Sequence, residues 1–324
     1  MGVLRLLLAI MVLASHLGVT LLGLNPGVSA VVVFYFLAGS VVARLWKKLS
    51  ADSSTKPQQS WRFLTDRFWR IAPMYYFSLV VAFAAYLGGA NSYFLSGEPG
   101  LLVVLQNLLV IPLNYYMFTG VDTFTLLPPA WSLGAELQFY LLVPLLFLRP
   151  SLLLTALGGS LLVFALAQGP GLNTDFYGYR LLPGVLVFFL AGALWQSPHT
   201  HERRLLGLIW LAGALYAWAL FKWLPQWQAG FNREVVLGFV MGVPLVIAVN
   251  KLKLRGLSAR ANQYAGLFSY GVFLLHFPVM WLYQLWLPAL ADGFWPVLAG
   301  SLALAAAGHW LVEKPLWRLF RKRF

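Results

Sequence analysis

The chain has 324 residues, 60% of them hydrophobic and 10% charged, with a mean hydropathy of +0.75. So much apolar surface excludes a water-soluble globule and makes the lipid bilayer the solvent. The absence of cysteine excludes thiol nucleophiles, acyl-cysteine relays, disulfides and thiolate metal sites, while the formal charge of +13 suits the basic cytoplasmic loops of membrane proteins better than it suits nucleic acid.

Apolar blocks with loop signals between them fill the chain. Val3 to Leu24 comes first; its run from Leu6 to Leu24 exceeds the usual signal-peptide core of about 7 to 15 residues, so an uncleaved span is expected although Val28-Ser29-Ala30 resembles a cleavage site. Val28 to Trp46 follows, then a segment from Ser50 to Ser60 that reads as the longest flexible linker. Ile71 to Leu87, Leu101 to Phe118, Trp131 to Leu148 and Ser151 to Gln168 come next. Leu181 to Gln196, Leu205 to Leu224, Val235 to Asn250, Gly266 to Leu287 and Phe294 to Val312 bring the count to eleven.

Charge orders these blocks. Arg44, Lys47, Lys48, Lys56, Arg62, Arg67 and Arg70 mark one cytoplasmic loop, Lys251, Lys253, Arg255 and Arg260 a second, and Arg318, Arg321, Lys322 and Arg323 a cytoplasmic tail. Between the two basic loops an even number of crossings is required, yet seven blocks lie there. Leu101 to Phe118 is the weakest of them, since Gln106, Asn107, Pro112 and Asn114 suit a re-entrant or surface helix lining a cavity. The short Leu181 to Gln196 is the second choice. The expected fold is all-α and polytopic, with about ten transmembrane helices plus one re-entrant or short non-spanning helix and both termini cytoplasmic. Residues 1–324 are expected to form a single transmembrane domain with no additional soluble domain.

Ionisable groups inside a membrane are costly, so they are the first candidates for function. Arg5 and His16 lie eleven residues apart, about three turns and roughly 16 Å along one helix face. That offset suits a donor whose phosphates stay at the inner surface while a long arm reaches an imidazole; the plainer alternative is a topology anchor and a helix-packing histidine. Arg67 and Arg70 can face one way before a span and grip a diphosphate, or serve as ordinary positive-inside charge. Glu136 falls about 7.5 Å below the outer boundary marked by Trp131, where it must pair or stay protonated. His276 lies mid-span beside Pro278, with site-lining and structural roles equally open. His309 reads as structural, and Glu313 is expected to pair with a basic neighbour. Arg180, among Tyr177 and Tyr179, is an outer-side cation that binds an anionic or glycan acceptor or anchors the interface. No Walker loop, His-Glu-x-x-His helix or Gly-x-Ser-x-Gly elbow is present.

Together these segments resemble the membrane-bound acyltransferase-3 family. Arg5 and His16 match its first-helix pair, and Arg67-Phe68-Trp69-Arg70-Ile71-Ala72-Pro73 looks like its Arg-x-x-Arg followed by Ile-x-Pro. Trp131 to Pro144 looks like its Trp-Ser-Leu-x-x-Glu block. Phe34-Tyr35-Phe36-Leu37-Ala38-Gly39, Ser269-Tyr270 with Leu274-Leu275-His276, and Glu313-Lys314-Pro315 follow in family order. Ala38 and Gly134 stand where the family often has Ser.

The resemblance implies a multi-pass protein of the bacterial inner membrane. It implies transfer of an acyl group, usually acetyl, from cytosolic acyl-coenzyme A to a hydroxyl of a glycan, lipid-linked sugar or similar acceptor. Acyl-coenzyme A would be a co-substrate, with no tightly bound cofactor and no metal. Arg5, Arg67 and Arg70 would hold its phosphates and His16 would act as general base, with transient acylation of His16 as a variant. Glu136 would orient or charge-balance the histidine from the outer side, His276 would line the acceptor path, and Trp131 and Arg180 are the acceptor-binding candidates. Some relatives carry an extracytoplasmic hydrolase-like domain; here transfer is expected to be completed within the membrane domain. The competing class is a proton-coupled transporter or flippase for an amphiphilic glycan.

Overall fold

The computed structural model describes residues 1–53, 55–169, 171–224 and 227–321, with side chains through Leu319. Lys322 and Arg323 of the basic tail, and the side chain of Arg321, lie outside the described residues. Among the described residues the chain is helical apart from an isolated bridge between Leu21 and Leu24. In chain order the helices are α1 (Gly2–His16), α2 (Pro26–Asp52), α3 (Lys56–Leu87), α4 (Leu101–Leu109), α5 (Tyr116–Thr119), α6 (Ala130–Leu148) and α7 (Pro150–Leu166). They continue with α8 (Leu182–Trp195), α9 (Thr200–Lys222), α10 (Asn232–Lys251), α11 (Gly256–Trp286), α12 (Phe294–Gly308) and α13 (Lys314–Arg321).

By length and composition, eight segments among the described residues can cross a bilayer: α2, α3, α6, α9, α10, α11, Phe176–Trp195 and Phe294–Leu319. α1 and α7 are shorter apolar helices, and α4 forms with Ile111–Thr119 a pair bent by 107°. The eleven apolar blocks are therefore all helical, and the weakest of them is the broken one. Its break falls at Val110, held at φ 67°, just before Pro112 removes a backbone donor.

Four boundaries differ from the sequence reading. The first span stops at His16 rather than Leu24, because Gly18, Leu22 and Gly23 take positive φ and turn the chain into α2. At fifteen residues α1 is about 22 Å long, short of a bilayer core of roughly 30 Å. The Ser50–Ser60 segment is not one long linker, for α2 runs to Asp52 and α3 begins at Lys56. Leu181 to Gln196 is not too short, since a π turn at Phe176–Arg180 extends it to a segment of 20 residues. The last span likewise continues through a π turn at His309–Glu313 into α13.

The contacts divide the chain into two units, Met1–Val19 with Arg67–Gly134 and Lys253–Phe324, and Thr20–Asp66 with Ala135–Leu252. In the first, α1 lies parallel to α11. The Met1 ammonium and the Val3 N–H both donate to Asn262 Oδ1, at 3.2 and 3.1 Å, so a side chain of α11 caps a helix that has no side-chain cap of its own. Gly2 lets the two backbones meet: an added Cβ would stand 1.7 Å from the Asn262 carbonyl oxygen. The broken pair is pinned by buried Asn107, whose Nδ2 donates to the Phe124 carbonyl at 3.0 Å while its Oδ1 accepts from Leu126 N–H at 2.9 Å.

In the second unit α2 is the common partner. A Cβ on Gly39 would meet the Phe189 carbonyl of α8 at 1.8 Å, and one on Gly192 would meet the Phe36 carbonyl at 2.0 Å. Each helix thus offers a glycine to the other's backbone, the close approach on which packing between lipid-solvated helices depends. α10 joins the start of α2 through Glu234, which accepts from Asn25 N–H at 3.2 Å, while Ser29 Oγ donates to the Glu234 carbonyl at 2.8 Å.

Candidate active site

The register set by Asn262 at one end of α1 is read out at the other. His16 closes the last turn of α1, and its Nδ1 lies 2.9 Å from Nε2 of His276 on α11. His276 is fully buried, and its Nδ1 lies 3.1 Å from the Val272 carbonyl oxygen. His16 is exposed on its far side. Phe277 closes one flank, its ring centroid 4.9 Å from that of His16, and Phe94 packs on Phe277 at 5.3 Å. An imidazole backed by a second imidazole and flanked on one side by aromatic rings is held in one orientation. Arg5 is on the same helix, in its first turns.

A second polar cluster of this unit lies where α3 meets the π turn after α12. Arg70 Nη1 donates to Glu313 Oε1 at 2.5 Å, and His309 Nδ1 lies 2.6 Å from Glu313 Oε2. Glu313 is buried, whereas Arg70 is about a third exposed. The sequence reading gave Glu313 a basic neighbour without naming one; the partners are Arg70 and His309, which fix one arm of a guanidinium whose other donors can serve an anion. The pairing also accounts for His309. Arg67, three residues earlier on α3, is half-buried.

Trp131 lies in the first turn of α6, and its carbonyl accepts from Asn114 Nδ2 at 3.1 Å. Gly134 follows it, where a Cβ would press at 3.0 Å on the Asn114 Cβ and the Val110 carbonyl. Glycine instead of serine at this position therefore has a steric reason: the broken pair packs against it.

In the second unit Glu136 accepts a hydrogen bond from the Tyr140 hydroxyl, one helical turn later. Tyr140 stood in the sequence block without a role, although the i, i+4 spacing could have suggested one. Arg180 donates through Nε to Asp175 Oδ2 at 2.8 Å and lies over the Tyr179 ring, 5.1 Å from its centroid. The cation is thus already neutralised by a carboxylate that the sequence reading did not single out. Buried Tyr35 has a hydroxyl without a hydrogen-bond partner among the described residues. Asn262 and Asp175 lay in none of the motifs, and no signal in the chain marked either.

A bundle of apolar helices with paired imidazoles at the end of the first, and an arginine held by a buried glutamate, has the features of a membrane-embedded acyltransferase. A family model described as an acyltransferase domain, acyltransferase-3, matches residues 1–313, and the chain belongs to that family. Among its relatives, an uncharacterised protein of Aquifex aeolicus is 36% identical over 162 residues, 49% of this chain and 72% of that protein. The peptidoglycan O-acetyltransferase OatA of Listeria monocytogenes is 26% identical over an alignment covering 97% of this chain and 54% of OatA. The exopolysaccharide production protein ExoZ of Rhizobium meliloti is 26% identical, with 92% of each chain covered. The chain therefore spans about half the length of OatA and nearly all of ExoZ. No solved structure matches it.

Proposed function

We propose that this protein transfers an acyl group, acetyl in the simplest case, from cytosolic acyl-coenzyme A to a hydroxyl of a glycan or lipid-linked sugar. The observation that carries the reading is the His16–His276 pair at 2.9 Å, on a helix whose opposite end bears Arg5. The names of OatA and ExoZ support a polysaccharide acceptor. In the reaction His16 takes the proton of the acceptor hydroxyl, the oxygen attacks the thioester carbonyl, the C–S bond breaks, and the proton passes to the departing thiolate to give coenzyme A and the ester. Arg5, Arg67 and Arg70 are assigned to the phosphates of the donor, and Glu136, Trp131 and Arg180 to the acceptor.

Both termini are assigned to the cytoplasm, in a bacterial inner membrane. The parallel course of α1 and α11 supports this, because it puts the chain's start on the same side as Arg255 and Arg260 at the start of α11. Release of free coenzyme A on adding acceptor tests the reaction, since a carrier consumes no thioester. His16→Ala is expected to lower that release by about a hundredfold or more while the protein still inserts; near-normal turnover would sink the assignment. Acetyl-coenzyme A binding, measured by calorimetry, is expected in the wild type and lost in the Arg67→Ala, Arg70→Ala double variant.

A further inference from the structure

The hydrogen-bond geometry around His276 determines where the hydrogens of both imidazoles are. The partner of His276 Nδ1 is the Val272 carbonyl, one turn back on α11, and a carbonyl can only accept, so Nδ1 carries the hydrogen. His276 is fully buried, and its hydrogen-bond partners among the described residues are a carbonyl oxygen and an imidazole, with no carboxylate to balance a charge. The ring is therefore neutral, and its Nε2 holds a lone pair. His16 Nδ1, 2.9 Å away, must then be the donor, which puts the basic lone pair of His16 on Nε2.

The rings are also aligned for that bond. Their centroids are 5.1 Å apart and their planes differ by 13°. The 2.9 Å N···N separation takes up all of the centroid distance except the two ring radii, so the imidazoles meet edge to edge in nearly one plane. The N–H of one points at the in-plane lone pair of the other, the direction a strong hydrogen bond requires.

We propose that His276 is a positioning residue: it holds His16 in the Nδ1–H tautomer, with Nε2 as the base, and makes no contact with substrate. The inference rests on the proposed role of His16. It changes the part expected for His276 from lining the acceptor path to orienting the base, a task the sequence reading gave to Glu136. The logic is that of a carboxylate behind a catalytic histidine, with a neutral acceptor in its place. Between apolar helices the substitution has a physical basis, because an ionised carboxylate would need its own counter-charge there, whereas an imidazole supplies the lone pair with no resting charge. When His16 takes a proton, its Nδ1–H bond to His276 becomes charge-assisted and strengthens.

The test is NMR of protein carrying imidazole-15N histidine, in which the protonated and bare ring nitrogens of neutral histidine resonate far apart. The chain has five histidines, and the His16 signals are identified by their loss in His16→Gln. The wild type is expected to show His16 protonated at Nδ1 and bare at Nε2. His276→Met, which offers no comparable acceptor, is expected to shift His16 towards the Nε2–H form and to lower the turnover for coenzyme A release by about a hundredfold, with KM for the donor changed less than about threefold. His276→Gln puts a carbonyl oxygen near the lost Nε2, so it is expected to keep the Nδ1–H form and to stay within about tenfold of wild-type turnover. An unchanged His16 tautomer in His276→Met, or equal turnover in the Met and Gln variants, overturns the proposal. Failure of the wild type to release coenzyme A would overturn the acyltransfer reading instead, while the tautomer measurement would still decide what His276 does to His16.

Discussion

Glu313 binds two side chains at once, and the consequence falls on Arg70. A guanidinium held at one nitrogen by a buried carboxylate cannot swing freely, so in the proposed donor site its remaining donors would meet a phosphate with less rotamer freedom to lose. Glu313→Gln keeps the shape and removes the charge. It is expected to weaken acetyl-coenzyme A binding about tenfold, the loss of about 1.4 kcal/mol of positioning, by calorimetry; unchanged affinity would leave Glu313 a purely structural role. Arg70→Lys is expected to weaken binding as well, because an ammonium cannot hold the carboxylate and a phosphate in one planar fork. At this scale the sequence singled out His16, Glu136, His276 and His309 because ionisable groups are rare in apolar helices, and Arg5, Arg67 and Arg70 from their place at the inner edge of a span. It could not pair them. Glu313 and Arg70 are 243 residues apart and His16 and His276 260 apart, and no local spacing rule reaches across such distances.

Two helix contacts make the elements sensitive to a single methyl group. On α2, Gly39 faces the Phe189 carbonyl so closely that a Cβ would overlap it at 1.8 Å. Gly39→Ala is therefore expected to cost about 3 kcal/mol or more, seen as a lowered Tm in detergent, whereas the same change at Gly159, where a Cβ meets nothing within 4 Å, should be neutral or stabilising. On α1, Asn262→Ala removes the shared acceptor of two N–H groups and is expected to cost about 1 kcal/mol, the value of a lost cap; faster amide exchange confined to the first turn of α1 would confirm the site. Val110 is a β-branched residue at positive φ, a conformation that glycine adopts with less strain. Val110→Gly is expected to leave Tm unchanged or raise it. The sequence placed the weak block correctly from its Gln, Asn and Pro content. The early end of α1 was hidden, because Val19 to Leu24 is as apolar as the helix before it and only the turns at Gly18 and Gly23 divert the chain.

For the whole molecule the topology is the main consequence. α1 and α11 run parallel, so both must begin on one side of the bilayer. The chain contains no cysteine, which allows single cysteines to be read without background. Ser258→Cys, near the start of α11, is expected to be protected from a membrane-impermeant maleimide in intact cells, and Asp292→Cys, between α11 and α12, to be labelled; both positions are exposed. The reverse pattern would invert the orientation drawn from the basic loops.

Composition by itself determined that lipid is the solvent, and the number and length of the apolar blocks determined that the chain is helical and polytopic, because a backbone in hydrocarbon has to satisfy its own hydrogen bonds. The ordered motifs determined the family. Only the tertiary structure decided which polar groups are partners: that His276 stands behind His16, that Glu313 holds Arg70, and that Asn262 caps α1. Each of these bonds joins residues distant in the chain, two of them across the close approach of α1 and α11 that Gly2 permits, and such registers arise from packing rather than from local sequence.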